Sequence, residues 1–148
     1  MNPKSTILFL CTGNSCRSQM AEAWSRCLLV GRFEAYSAGV QPEVLDPRAV
    51  QAMAEVGVDI SGQQAKDIGA LGEIAFDYVV TLCDHARESC PFFPAQTRVM
   101  NQGFDDPPVL AAGAEDEEEA MAPYRRVRDE IRAFVEALPE VLAEEGEA

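Results

Sequence analysis

Basic residues are scarce in this chain: 12 Lys and Arg stand against 25 Asp and Glu, leaving a net charge of −13. That balance excludes a nucleic-acid binder, because phosphate backbones are held by clustered Lys and Arg. The one histidine, His85, and the lack of any Cys-x-x-Cys pair exclude a zinc site, which needs four ligands at recognisable spacing. No apolar run approaches the roughly 20 residues of a membrane helix. The N-terminal apolar run is only Ile7–Leu10 long and carries no secretory pattern, so a cytoplasmic location is expected. At 148 residues, one domain is expected. The acidic excess is greatest at the C-terminal end, where Glu115–Glu119 reads as a solvated loop near 111–120.

What is present is concentrated in Cys11-Thr12-Gly13-Asn14-Ser15-Cys16-Arg17-Ser18. Ser5–Leu10 before it reads as a buried strand. Gln19–Val30 after it carries Met20, Ala23, Trp24, Cys27 and Leu28 at helical spacing. The segment is therefore strand, tight loop and helix start. Such a loop turns successive backbone N–H groups inward, and the helix N-terminus adds partial positive charge. The result is a cradle for a tetrahedral oxyanion, formed by residues 12–18. Cys11 lies at its base as nucleophile, and the planar fork of Arg17 grips two oxygens. A free cysteine titrates near 8.5, so Cys11 is expected to be lowered by the amides, the helix end and Arg17, with a hydrogen bond from Ser18. Asn14 suits a left-handed position in the loop. Cys16 has no chemical assignment, and Cys27 reads as core.

Further strands are expected at residues 33–37, 76–82 and 97–100. Helices are expected over 47–56, capped by Asp46 with Pro47 at the first position, and over 123–144, with Pro139 as a kink. Residues 61–71 are ambiguous. The alternation implies a single α/β domain with a four-stranded parallel sheet flanked by helices. Function in such sheets gathers at the C-terminal strand ends. Cys11, Cys83 and Asp105-Asp106 all fall there. An oxygen expelled by thiolate attack leaves faster when protonated, so Asp105 and Asp106 are candidate acids. Adjacent carboxylates raise one another, and Pro107 extends the backbone at Asp106. If strands one and three are neighbours their ends lie about 4.8 Å apart, and Cys11 is then able to pair with Cys83. Cys83 and Cys90 would stand about 10 Å apart along a helix, so a bond between them requires the loop to rearrange.

These residues together resemble the thioredoxin-coupled arsenate reductases, built on the low-molecular-weight tyrosine phosphatase fold. The likeness rests on residues 11–22, Tyr36-Ser-Ala-Gly39, Val79-Val-Thr-Leu-Cys83, Cys90-Pro91, Gly103-Phe-Asp-Asp-Pro107 and Arg126-Val-Arg-Asp-Glu-Ile131. It implies a three-thiol relay. Cys11 attacks arsenate held by Arg17 and the loop amides, and Asp106 protonates the departing oxygen. Cys83 then attacks Cys11, and Cys90 attacks Cys83, leaving a Cys83–Cys90 disulfide for thioredoxin. The resemblance gives Cys16 no place in the relay, and phosphate or sulfate would act as mimics of arsenate. Some members of the family bind potassium through an Asn, a Ser and a carboxylate. Asn14 and Ser37 match, but Lys66 stands at the carboxylate position with Asp67 one residue on, which implies an ammonium in place of the ion and no metal or cofactor. The acidic segment after Pro108 and the long last helix exceed the family pattern. The rival reading is a phosphatase for phosphotyrosine or aryl phosphates using Cys11, Arg17 and Asp106; a third is a non-catalytic anion-sensing module. Helices with one apolar face each predict a monomer.

Overall fold

The computed structural model describes residues 4–88, 90 and 93–147, without the side chains of 85 and 144–147. Four strands are present: β1 (Ser5–Cys11), β2 (Phe33–Gly39), β3 (Tyr78–Thr81) and β4 (Arg98–Asn101). Five helices accompany them: α1 (Arg17–Leu28), α2 (Pro47–Ala54), α3 (Asp84–Glu88), α4 (Pro107–Ala111) and α5 (Glu117–Glu147). The strands form one sheet in the order β2-β1-β3-β4, with all three pairings parallel. β1 is thus central, which explains why both of its faces are apolar. Ile7 and Phe9 face one layer, Leu8 and Leu10 the other, and all four are fully buried.

The first layer is the larger. Met20, Ala21, Ala23 and Trp24 of α1 pack there with Ala49, Ala52 and Met53 of α2. Val127, Ile131, Val135, Leu138 and Leu142 complete it from α5, recurring every three or four residues as the sequence led us to expect. Trp24 Nε1 donates to the Arg128 carbonyl (3.1 Å), and Arg128 Nη1 donates to the Ala52 carbonyl (2.9 Å), tying α5 across both neighbours. On the other face Leu8, Leu10, Cys11, Val79, Cys83 and Ala86 form a smaller cluster, against which Cys90 and Phe93 pack.

Three local expectations change. Cys27 is exposed in the last turn of α1, not part of the core, because the buried residues of the helix end at Ser25. Residues 61–71, ambiguous in the sequence, contain a turn at 61–62, a bridge from Asp67 to Gly39 and a 3-10 turn, Ile68–Leu71, capped by Asp67. The acidic run is divided, with Glu115 and Asp116 outside any helix and Glu117–Glu119 opening α5, which begins six residues earlier than Pro123. Asp116 Oδ1 accepts from the Glu119 amide (2.7 Å) while Glu119 Oε2 accepts from the Glu115 amide (3.0 Å). This reciprocal cap, with Glu117–Glu119 in the first turn facing the positive helix end, carries the helix through Pro123. α2 starts as expected, with Asp46 Oδ1 accepting from the Arg48 amide (2.9 Å).

At the C-terminal edge of the sheet, Cys11 is in register with Gly39. A Cβ on Gly39 would lie 2.7 Å from the Thr12 carbonyl oxygen and 2.9 Å from the Asn14 nitrogen. The β2 backbone is therefore pressed against the loop that follows β1, and neither side is a flexible side chain. Gly39→Ala is expected to cost about 2 kcal/mol of stability through overpacking and to displace the loop. Chemical denaturation measures it; a midpoint equal to wild type would show that the loop yields freely.

Candidate active site

The loop between β1 and α1 is shaped from outside. Val40, Gln41, Glu43 and Asp46 donate their amides to the carbonyls of Cys11 (3.1 Å), Thr12 (2.8 Å), Gly13 (2.8 Å) and Ser15 (2.9 Å). With its carbonyls occupied on that side, the loop keeps its own N–H groups for the interior. The amides of residues 13–16 donate to no carbonyl among the described residues. Asn14 has φ of 50°, the only non-glycine with positive φ among the described residues, as its side chain tolerates. Its Nδ2 donates to Ser18 Oγ (2.8 Å), and its Oδ1 accepts from Gln19 Nε2 (3.0 Å) and the Lys66 amide (2.9 Å).

Inside the curve lies a cavity of about 110 Å³, lined by Cys11, Thr12, Gly13, Ser15, Cys16, Arg17, Glu43, Asp106 and Pro108. Of the residues expected to surround an anion, Asn14 and Ser18 do not line it: both are fully buried behind the loop and hold each other. Arg17 is 7% exposed. Its Nη1 donates to the Phe104 carbonyl (2.9 Å), and its Nη2 stands 3.5 Å from Asp106 Oδ2. Its Nε is buried with no partner among the described residues, the condition of a donor reserved for an oxyanion. Asp105 separates from Asp106: it turns outward to Arg126 Nη2 (2.8 Å), so only Asp106 faces the cavity. A wider cleft of about 380 Å³ shares Arg17 and Asp106 and is lined also by Cys83.

Five cysteines are free, and three of them, Cys11, Cys83 and Cys90, pack in or against one apolar cluster. Adjacency of β1 and β3 brings Cys83 to Cys11, as the sheet order requires. The proton between them differs from the expectation. The Cys11 thiol is pushed well above its usual value, first by donating to Cys83 Sγ and then by burial, against the pull of Arg17 and the Thr12 amide. Cys83 is brought down to about 4, chiefly by accepting that bond, then by Thr12 Oγ1 (3.2 Å) and the Ala86 amide (3.4 Å), despite its burial. Cys83 immediately precedes α3, so its sulfur occupies a helix-capping position where a thiolate is favoured. The two neighbouring thiols are thus shifted in opposite directions, Cys11 up and Cys83 down. Ser18 gives no bond to Cys11; its oxygen accepts from Asn14 instead. Cys16 is pushed up strongly by burial and then by Asp46 and Asp106, so it remains a thiol. Cys90 is half-buried, and burial raises it.

A family model described as low molecular weight phosphotyrosine protein phosphatase matches residues 6–148. The chain belongs to that family. Within this phosphatase family its curated relatives include the arsenate reductase of Halalkalibacterium halodurans, 46% identical over 93% of this chain and 96% of the relative. The arsenate reductase of Bacillus subtilis is 49% identical over 84% and 88%. A solved arsenate reductase in its oxidized state superposes with a TM-score of 0.74, at 30% identity over 90% of this chain and 95% of that one.

Two parts of the site escaped the sequence. Glu43 and Pro108 enter the cavity from loops whose approach depends on the fold. Glu22 (2% exposed) is a buried carboxylate beside the loop, accepting from Ser37 Oγ (2.8 Å) and facing Arg26 Nη2 (3.2 Å) and Lys66 Nζ (3.8 Å). The ammonium of Lys66 thus stands with Ser37 at the carboxylate of Glu22, a partner the sequence reading did not place there. On that arrangement no requirement for an alkali cation is expected. Catalytic efficiency is expected to be equal in sodium and potassium buffers of matched ionic strength; strong potassium stimulation would contradict this.

Proposed function

We propose that this chain reduces arsenate to arsenite through Cys11, Cys83 and Cys90, with thioredoxin as the reductant. Arsenate takes the cradle of loop amides and the fork of Arg17, drawing that fork from Asp106. Once the proton has passed to Cys83, the Cys11 thiolate attacks arsenic. Asp106 gives a proton to the displaced oxygen, which leaves as water. Cys83 gives its proton to an oxygen on arsenic and attacks Cys11 Sγ. The sulfur–arsenic bond breaks with its electron pair going to arsenic, so arsenic(V) becomes arsenic(III) and a Cys11–Cys83 disulfide forms. Cys90 attacks Cys83 and releases Cys11, and the segment between them rearranges as the Cys83–Cys90 bond closes. A dithiol such as thioredoxin reduces that bond.

The observation that supports this reading is the second thiol, Cys83, just past the end of β3 and beside Cys11 at the end of β1, in the apolar cluster against which Cys90 also packs. An aryl phosphatase uses Cys11, Arg17 and Asp106 and has no need of a second thiol there. Weak phosphatase turnover is expected to accompany the main activity, because phosphate matches arsenate in shape. The test is arsenate-dependent NADPH oxidation coupled through thioredoxin and thioredoxin reductase. Wild type turns over, Cys83→Ser and Cys90→Ser lose at least a hundredfold, and any aryl phosphatase activity survives Cys83→Ser. Absence of reductase turnover in wild type, with aryl phosphate hydrolysis intact, would overturn the reading in favour of a phosphatase.

A further inference from the structure

An anion site is expected to be electropositive, yet the only cation lining this one is outnumbered. Arg17 is the sole Lys or Arg among the described residues that line the cavity, against the carboxylates of Glu43 and Asp106. Asp106 stands 3.5 Å from the Arg17 guanidinium and balances it. Glu43 is the excess charge. Its backbone is fixed at the rim by its own amide, bonded to the Gly13 carbonyl (2.8 Å). Its side chain lies over Gly13: a Cβ there would meet Glu43 Cδ and Oε2 at 3.2 Å and Cγ at 3.3 Å. The side chain is exposed, and no ion pair of Glu43 is found among the described residues. An unneutralised carboxylate therefore stands at the mouth of a cavity built for oxyanions. The proposed chemistry assigns it no role.

We propose that Glu43 is a charge gate that biases the cavity toward singly charged tetrahedral oxyanions over doubly charged ones. This inference rests on the reading of the cavity as an anion site. Repulsion from one carboxylate is proportional to the charge of the incoming ion, so a dianion is opposed by twice the energy that a monoanion meets. Arsenate near neutral pH is a mixture of the two ions, and the gate favours the one that keeps an extra proton. The doubly ionised head of an aryl phosphate is opposed by the same term. Glu43 is in this sense a specificity-determining residue, selecting by charge where the loop amides select by shape.

Sulfate and perchlorate separate the two properties, since both are tetrahedral and their charges of two and one do not change between pH 6 and 8. Protection of Cys11 from iodoacetamide, read by peptide mass, gives the affinity of each at constant ionic strength. In Glu43→Gln the concentration of perchlorate for half protection is expected to fall about threefold. That of sulfate should fall about tenfold, the square of the smaller factor. Glu43→Asp keeps the charge and is expected to keep the wild-type sulfate-to-perchlorate ratio. An equal change for both ions in Glu43→Gln, or none, would overturn the gate and leave the anion site standing. Failure of both ions to protect Cys11 in the wild type would overturn the anion-site reading and the gate with it.

Discussion

The site depends on one constraint: the carbonyls of the loop after β1 must be satisfied from outside if its amides are to serve an anion. Val40, Gln41, Glu43 and Asp46 meet that need in order along the chain. They reach it because β2 runs parallel to β1 and ends at Gly39, in register with Cys11 and without a side chain between the two backbones. Asn14 then turns the loop through a left-handed conformation and pins Ser18, Gln19 and Lys66 behind it. α2 and α5 hold the outer segment in place. Asp46 caps α2 with one oxygen and accepts from Tyr124 Oη of α5 with the other (2.5 Å). A cradle of a few residues is thus supported by packing from most of the chain.

Sheet order does the same for the thiols. With β1 between β2 and β3, the ends of β1 and β3 are neighbours, and a cysteine at each end meets the other. Their closeness raises Cys11 and lowers Cys83, the latter helped by Thr12 and the Ala86 amide. In the proposed relay this places the sulfur that breaks the arsenic–sulfur bond beside the first nucleophile.

Much of this was legible in the sequence. Cys11, Gly13, Asn14 and Arg17 announced a strand, an anion loop and a helix, and the β-branched run at 76–82 announced the partner strand that delivers Cys83. Local chemistry sufficed for these, because strand, turn and cap preferences act within a few residues. What failed needed knowledge of which segments cross. Ser18 bonds Asn14 and not the sulfur, Asp105 turns to Arg126 on α5, and Glu43 arrives over Gly13 from a loop of no distinctive composition. Cys27 has the spacing of a core residue, but the last turn of α1, residues 26–28, is exposed. Pro123 looked like a helix start because proline favours that position, whereas the reciprocal cap of Asp116 and Glu119 sets the true one.

The central claim is that Cys83 attacks Cys11 while arsenic leaves reduced. A single turnover of Cys90→Ser with arsenate, followed by acid quenching and non-reducing peptide mapping, tests it directly. The account predicts a disulfide joining the Cys11 and Cys83 peptides in proportion to the arsenite released. Arsenite released with Cys83 still free, or a disulfide of Cys11 to Cys16 in its place, would contradict it.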